Sequence, residues 1–138
     1  MEINQLVMSD EKVAVIEDGA WVDGFAEAPG VGFFVRGFSS DAVQQALAAA
    51  QIEARLKNGG KPIGTEEMSN IASRVLAEVA LLDWRGLTDQ EVPVPFDREL
   101  AVKWLTSRGG KRISMLVFAA AQRIDNDTES FIDQATKN

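Results

Sequence analysis

The chain contains no cysteine and no histidine. Without cysteine there can be no disulfide, thiolate nucleophile or cysteine-ligated zinc, and without histidine the commonest general base and metal ligand are missing. Tyrosine is absent as well. The residue types that remain favour a protein that is not an enzyme, and they indicate no catalytic, cofactor-binding or metal-binding residue.

Long apolar runs and net positive charge are also missing. No stretch approaches the roughly 18 consecutive apolar residues of a membrane span, and the first twelve residues carry acids where a secretion signal needs bases. The formal net charge is -7, whereas proteins that bind phosphate backbones or anionic membranes carry a positive surface. We therefore expect an intracellular protein that binds neither nucleic acid nor membrane.

The length of 138 residues, with 46% hydrophobic and 25% charged residues, is typical of one globular domain. We expect a single α+β domain over residues 1–125. Within it, residues 12–38 are expected to be rich in strands and residues 40–125 to be helical. Residues 126–138 form a polar tail, for which a weak helix and disorder both stay open.

An antiparallel sheet of about three strands is expected near the N-terminus. Residues 12–17 and 20–27 flank Asp18-Gly19, a dipeptide that favours a tight hairpin turn, and residues 32–38 supply a third apolar stretch. The fold class that follows is α+β, a small N-terminal antiparallel sheet followed by four to five helices.

Helix signals dominate the rest of the chain. Residues 41–57 follow Ser39 and Ser40, which can cap a helix, and they end at two glycines. Their apolar residues lie on two neighbouring stripes, so this helix is expected to pack on two sides. Further helices are predicted from Thr65 to beyond Leu82, after Asp97, and over 111–124. The last of these is apolar all round, which indicates burial or contact with a partner.

Three glycine-containing segments were compared with nucleotide-binding motifs. Gly30-Val31-Gly32 lacks the third glycine of the dinucleotide fingerprint. Gly60-Lys61 and Gly110-Lys111 are not followed by the serine or threonine of a phosphate-binding loop. We interpret Gly60-Lys61 as a helix end and Gly110-Lys111 as a connection between two helices.

Positive charge is concentrated beside the last strong helix. Residues 101–124 hold five bases and no acid. These bases could bind an acidic segment of a partner, or they could form a solvated face neutralised by nearby acids, and the sequence leaves both interpretations open. The five residues are Lys103, Arg108, Lys111, Arg112 and Arg123.

The layout of the chain from residue 64 onward carries a family resemblance. A helix runs to Trp-x-Gly, an acidic turn follows, and Pro-Phe precedes the next helix. This order resembles the tail assembly chaperones of long-tailed bacteriophages, and Arg36-Gly37 before the first long helix is similar to some members. Two segments depart from the pattern: Gln90-Glu91, where members often have glycine, and residues 107–112, which lack a proline. The matching positions are Trp84, Gly86, Leu87, Asp89, Pro95 and Phe96.

The resemblance implies a function. Such a chaperone coats the tape-measure protein in the host cytoplasm, keeps it soluble, helps to recruit the tail-tube protein, self-associates, and is not part of the mature virion. The alternatives are a structural tail or head–tail connector subunit and a small-ligand or enzymatic domain. The residues expected to bind the partner combine the aromatic motif with the basic, apolar helix, namely Trp84, Phe96, Trp104, Arg108, Lys111, Arg112, Met115 and Phe118.

Overall fold

A computed structural model describes residues 1–136 and confirms an α+β fold. Helices surround a three-stranded antiparallel sheet, and a separate two-stranded ribbon lies in the loop after the sheet. The helices are α1 (Asp10–Asp18), α2 (Asp41–Lys57), α3 (Thr65–Val75), α4 (Arg98–Thr106), α5 (Lys111–Asn126) and α6 (Ile132–Thr136). The strands are β1 (Ala20–Val22), β2 (Gly32–Val35), β3 (Leu81–Arg85), β4 (Thr88–Asp89) and β5 (Val92–Pro93).

The predicted strand at residues 12–17 is wrong, because this segment belongs to α1. The Ser9 hydroxyl accepts a hydrogen bond from the Lys12 backbone N–H at 3.3 Å and caps the helix. Asp10 and Glu11 lie in the first turn, where acids favour the positive end of the helix dipole. Gly19 follows the last residue with φ of 92°. The dipeptide Asp18-Gly19 therefore ends a helix and does not form a hairpin turn.

The sheet is central in the chain and not strictly N-terminal. Its strand order is β1-β2-β3, and Phe33 of β2 pairs with Val22 on one side and with Trp84 on the other. The expected helix from Thr65 to beyond Leu82 is wrong at its end, because α3 passes into a π-helical turn at Leu76–Ala80 and the chain continues as β3. Local periodicity missed this strand, since pairing with the distant β2 determines it.

Two predicted helix starts are confirmed by their caps. The Ser40 hydroxyl accepts from Val43 N–H at 3.4 Å, and the Asp97 carboxylate accepts from Glu99 N–H at 3.0 Å. The expectation that α2 packs on two sides is wrong. Val43 and Ala54 are buried, but the second apolar stripe of α2, containing Ile52 and Leu56, faces outwards.

The polar tail covers the outer edge of strand β1. A 3₁₀ turn at Thr128–Phe131 leads into α6. Of the two possibilities left open for the tail, residues 132–136 thus form a short helix, and residues 137–138 lie outside the described part. The Gln134 side-chain amide accepts from Trp21 N–H at 2.7 Å and donates to the Trp21 carbonyl at 2.9 Å. Gln134 thus supplies the two hydrogen bonds that another strand would make.

Replacing Gln134 by methionine should lower the stability of the fold. The side chain keeps its length but loses both hydrogen bonds to Trp21, and we expect a cost of about 1–2 kcal/mol because each bond contributes about 1 kcal/mol net. Urea unfolding followed by circular dichroism measures this cost. The exposed Gln45 of α2 provides the matched control, Gln45→Met. Equal midpoints for the two variants would contradict the role of Gln134.

Candidate functional site

The aromatic residues of the Trp-x-Gly segment form an internal cluster. Trp84 is buried, and its ring lies 5.2 Å from that of Trp104 in a stacked arrangement and 4.8 Å from that of Phe96. Its indole N–H donates to the Val94 carbonyl at 2.9 Å. This cluster joins β3 to α4 through the intervening loop, so Trp84, which was expected to bind a partner, is buried and anchors the core.

Two turns with positive φ values shape the loop between β3 and α4. Gly86 has φ of 81°, and a side chain there would overlap the Gly30 carbonyl. Gln90 and Glu91 join β4 to β5 with φ of 50° and 69°. Residues other than glycine rarely adopt such positive values, yet this turn contains two side chains in succession.

Two arginines bind the carbonyls of the π-helical turn that ends α3. Arg98 donates to the carbonyls of Ala77, at 2.8 Å, and Leu81. Arg36 donates to the Val79 carbonyl at 3.2 Å. Burial lowers the pKa of Arg98, the nearby Arg36 cation lowers it further, and Glu78 acts in the opposite direction. Both arginines hold the turn in place, which positions α3 relative to the sheet.

A cleft of about 850 Å³ lies between α3 and the start of α5. Most of its lining side chains are exposed, so the cleft is an open groove. Its deepest apolar residue is the buried Leu105 of α4. The lining residues are Thr65, Glu66, Ser69, Asn70, Ser73, Leu105, Ser107, Arg108, Lys111, Ser114 and Met115.

The two walls of the cleft differ in charge and polarity. On the α5 side, Arg108 and Lys111 are exposed, and Met115 has 71% of its surface accessible. On the α3 side, the acidic residue that lines the cleft is Glu66, which is exposed. At the base of the cleft, the hydroxyl oxygens of Ser73 and Ser114 lie 3.1 Å apart and join the walls. The groove can therefore hold an amphipathic segment by apolar and charged contacts together.

The structure divides the predicted contact residues. Arg108, Lys111 and Met115 line the cleft, and Arg112 is exposed one position beyond Lys111. Phe118 packs edge-on against Phe38 with ring centroids 5.2 Å apart, and it does not line the cleft. Phe96 and Trp104 are half-buried in the aromatic cluster with Trp84, away from the cleft lining.

The predicted basic block is also divided. Arg123, near the other end of α5, donates to the Asp23 carbonyl at 2.6 Å and lies 4.8 Å from the Phe25 ring centre. Lys103 is exposed on α4 and is not part of the lining. Only Arg108 and Lys111 of the five bases line the cleft.

Sequence reasoning missed the contribution of α3 to the cleft. Thr65, Ser69 and Ser73 recur every four residues, and this spacing places three hydroxyl groups on one face of a helix. That periodicity was available as a signal. It did not show which neighbouring element the hydroxyl face meets.

A family model described as YdaY prophage protein matches residues 38–138. The chain belongs to this family. The match includes the Trp-x-Gly segment and every residue that lines the cleft, and it identifies the chain as a prophage-encoded protein. No curated protein and no solved structure matches the chain.

Two further features are absent from the described part of the chain. Among residues 1–136, no helix is long and apolar enough to cross a membrane. Within that same part of the chain, no cluster of three or more acidic side chains is arranged to hold a metal ion.

Proposed function

We propose that this prophage protein is a non-enzymatic tail assembly chaperone. It binds a helical segment of the tape-measure protein in the cleft between α3 and α5, keeps that protein soluble in the host cytoplasm and helps to recruit tail-tube subunits. The observation that carries the proposal is an open groove in which apolar Leu105 and Met115 lie beside cationic Arg108 and Lys111.

The size of the cleft supports a helical occupant. A helix about 10 Å across, with a rise of 5.4 Å per turn, occupies roughly 400 Å³ per turn. The cleft volume of about 850 Å³ is comparable to the volume of roughly two such turns, and because the groove is open a longer helix could extend beyond it. Two turns present two or three apolar side chains from one face, which suits the limited apolar area around Leu105 and Met115.

The charges favour one orientation of that helix. Arg108 and Lys111 line the α5 wall, with Arg112 beside them, whereas Glu66 lines the α3 wall. A bound helix that carries acids on one flank and a base on the other would match both walls. Rim charges of this kind act mainly on the association rate and on the choice of partner.

Co-expression tests the proposal directly. The partner is the longest helical protein encoded with this chain in the source prophage, and the readouts are its soluble fraction and its co-purification with the tagged chain. The proposal requires the partner to become soluble and to co-purify. A partner that stays insoluble while this chain purifies alone would contradict it, and recovery of this chain from purified particles would instead support a structural tail subunit.

Charge reversal in the cleft should weaken the complex. The double variant Arg108→Glu, Lys111→Glu places acids beside the acidic flank of the bound helix, and we expect at least a tenfold rise in Kd at low salt with unchanged far-UV circular dichroism. The control variant Lys103→Glu, Arg74→Glu makes the same change in net charge at exposed residues outside the lining. Titration calorimetry measures both. Equal affinities for the two variants would exclude the α5 wall as the binding surface.

A further inference from the structure

The first residues of the chain expose an apolar surface. Residues 1–9, here called the N-terminal arm, contain one 3₁₀ turn at Ile3–Gln5 and have no buried residue. Ile3 is 76% exposed and Leu6 is 74% exposed, and Val7 is exposed beside them. Three large apolar residues within five positions are therefore exposed, and such a concentration in a folded protein indicates an interaction surface.

A second exposed apolar surface lies on α2. Ala48, Ile52 and Leu56 recur every four residues on the face that points away from the core, and this set is here called the α2 stripe. Ile52 is 62% exposed and Leu56 is 74% exposed. The remaining face of α2 is already occupied, because it packs against α3 and the π-helical turn.

The segments that contain the two surfaces carry opposite charge. The arm holds one acid, Glu2, and the adjoining first turn of α1 adds the exposed Asp10 and Glu11, with neither lysine nor arginine over residues 1–11. Residues 52–61, which include the C-terminal half of the α2 stripe, hold three bases and one acid. Arg55 in α2 and Lys61 in the loop after α2 are exposed, and Lys57 is 3.1 Å from the Glu53 carboxylate. An acidic, apolar segment is thus complementary to a basic, apolar helix face.

We propose that the N-terminal arm of one copy docks on the α2 stripe of a second copy. The arm and the stripe are both exposed in the single chain. They also belong to different parts of the fold. Helix α1, which follows the arm, packs against α5 and α6, whereas α2 packs against α3. The contact joins two different surfaces, so each copy can bind one neighbour through its arm and another through its stripe. This proposal does not depend on the chaperone function.

Mass measurement on full-length variants tests the contact. The arm variant is Ile3→Gln, Leu6→Gln, and the stripe variant is Ile52→Gln, Leu56→Gln. All four positions are exposed and glutamine keeps the charge, so the fold should be unaffected. Light scattering after gel filtration measures the mass of each protein. The wild type should have at least twice the monomer mass of 15.0 kDa, and each variant should have the mass of the monomer.

Mixing the two variants gives the decisive result. The arm variant retains an intact stripe and the stripe variant retains an intact arm, so an equimolar mixture should form a one-to-one dimer of twice the 15.0 kDa monomer mass. The control variant Met68→Gln, Met115→Gln changes two apolar residues outside both surfaces and should assemble as the wild type does. A monomeric wild type, an assembled single variant, or a mixture that stays monomeric would each overturn the proposal.

Discussion

Alanine in place of Gly86 is expected to cost about 3 kcal/mol of stability or to prevent folding. Gly86 has φ of 81°, where a side chain adds about 1 kcal/mol of strain. The larger part of the cost comes from overlap, because the new Cβ would fall on the Gly30 carbonyl oxygen, a backbone atom that cannot turn aside. Relief would require separating the loop after β3 from the segment before β2.

Gly60 provides the matched control for this substitution. It also has φ of 81°, but a Cβ at this position would meet nothing within 4 Å. Gly60→Ala should therefore show the backbone strain alone, about 1 kcal/mol. Urea unfolding of both variants separates the cost of backbone strain from the cost of overlap with the Gly30 carbonyl. Equal destabilisation would show that the close approach to Gly30 does not limit the position.

Replacement of Arg98 by methionine is expected to destabilise the protein by about 3 kcal/mol. Arg98 supplies hydrogen bonds to the carbonyls of Ala77 and Leu81, two buried residues at the π-helical turn. Methionine fills a similar volume without a donor, so carbonyl groups in a buried setting would lose a charged partner. The loss should spread to α3 and β3, which this turn connects.

Arg74 allows the Arg98 substitution to be compared with loss of an exposed arginine. Its guanidinium lies 3.5 Å from Glu78, and both side chains are largely exposed, so the ion pair should contribute less than about 1 kcal/mol. Arg74→Met should consequently shift the unfolding midpoint only slightly. If Arg98→Met shifted it no further, the hydrogen bonds to the turn would not be the source of stability that the geometry indicates.

Local signals predicted several helices of this fold. The capping residues Ser40 and Asp97 were recognised from the sequence, and both accept a hydrogen bond from their helix in the structure. Ser9 was overlooked because the apolar residues after it, including Val15 and Ile16, are also compatible with a strand. The β-branched residues of that segment favoured a strand, whereas the cap at Ser9 belongs to the helix that the structure shows.

Long-range pairing limited the prediction of the sheet and of the cleft. Strand β3 forms because Trp84 and Leu81 pair with β2, whose residues lie about fifty positions earlier. The cleft likewise needs α3 beside α5, a contact that includes Ser73 and Ser114. Periodicity within one helix predicts neither the pairing of β3 with β2 nor the contact of α3 with α5. The basic block beside the apolar helix identified Arg108, Lys111 and Met115 as candidates, but it gave no sign of their counterparts on α3.

The aromatic motif illustrates how a sequence resemblance can reflect folding. Trp84 is buried against Trp104 and Phe96, and Gly86 is required by the approach of Gly30. These contacts account for the motif as an internal junction between β3 and α4. The residues that we propose for partner binding lie elsewhere, on the walls of the cleft.

Amide hydrogen exchange of this chain with and without the tape-measure protein tests the cleft most directly. Binding in the cleft predicts slower amide exchange in residues 65–73 and 107–115 of the complex, with little change in the buried junction around Trp84. It also predicts that Arg108→Glu, Lys111→Glu abolishes this protection at the same protein concentration. Protection confined to other surfaces, with exchange in both cleft segments unchanged, would contradict the assignment of the cleft as the binding site.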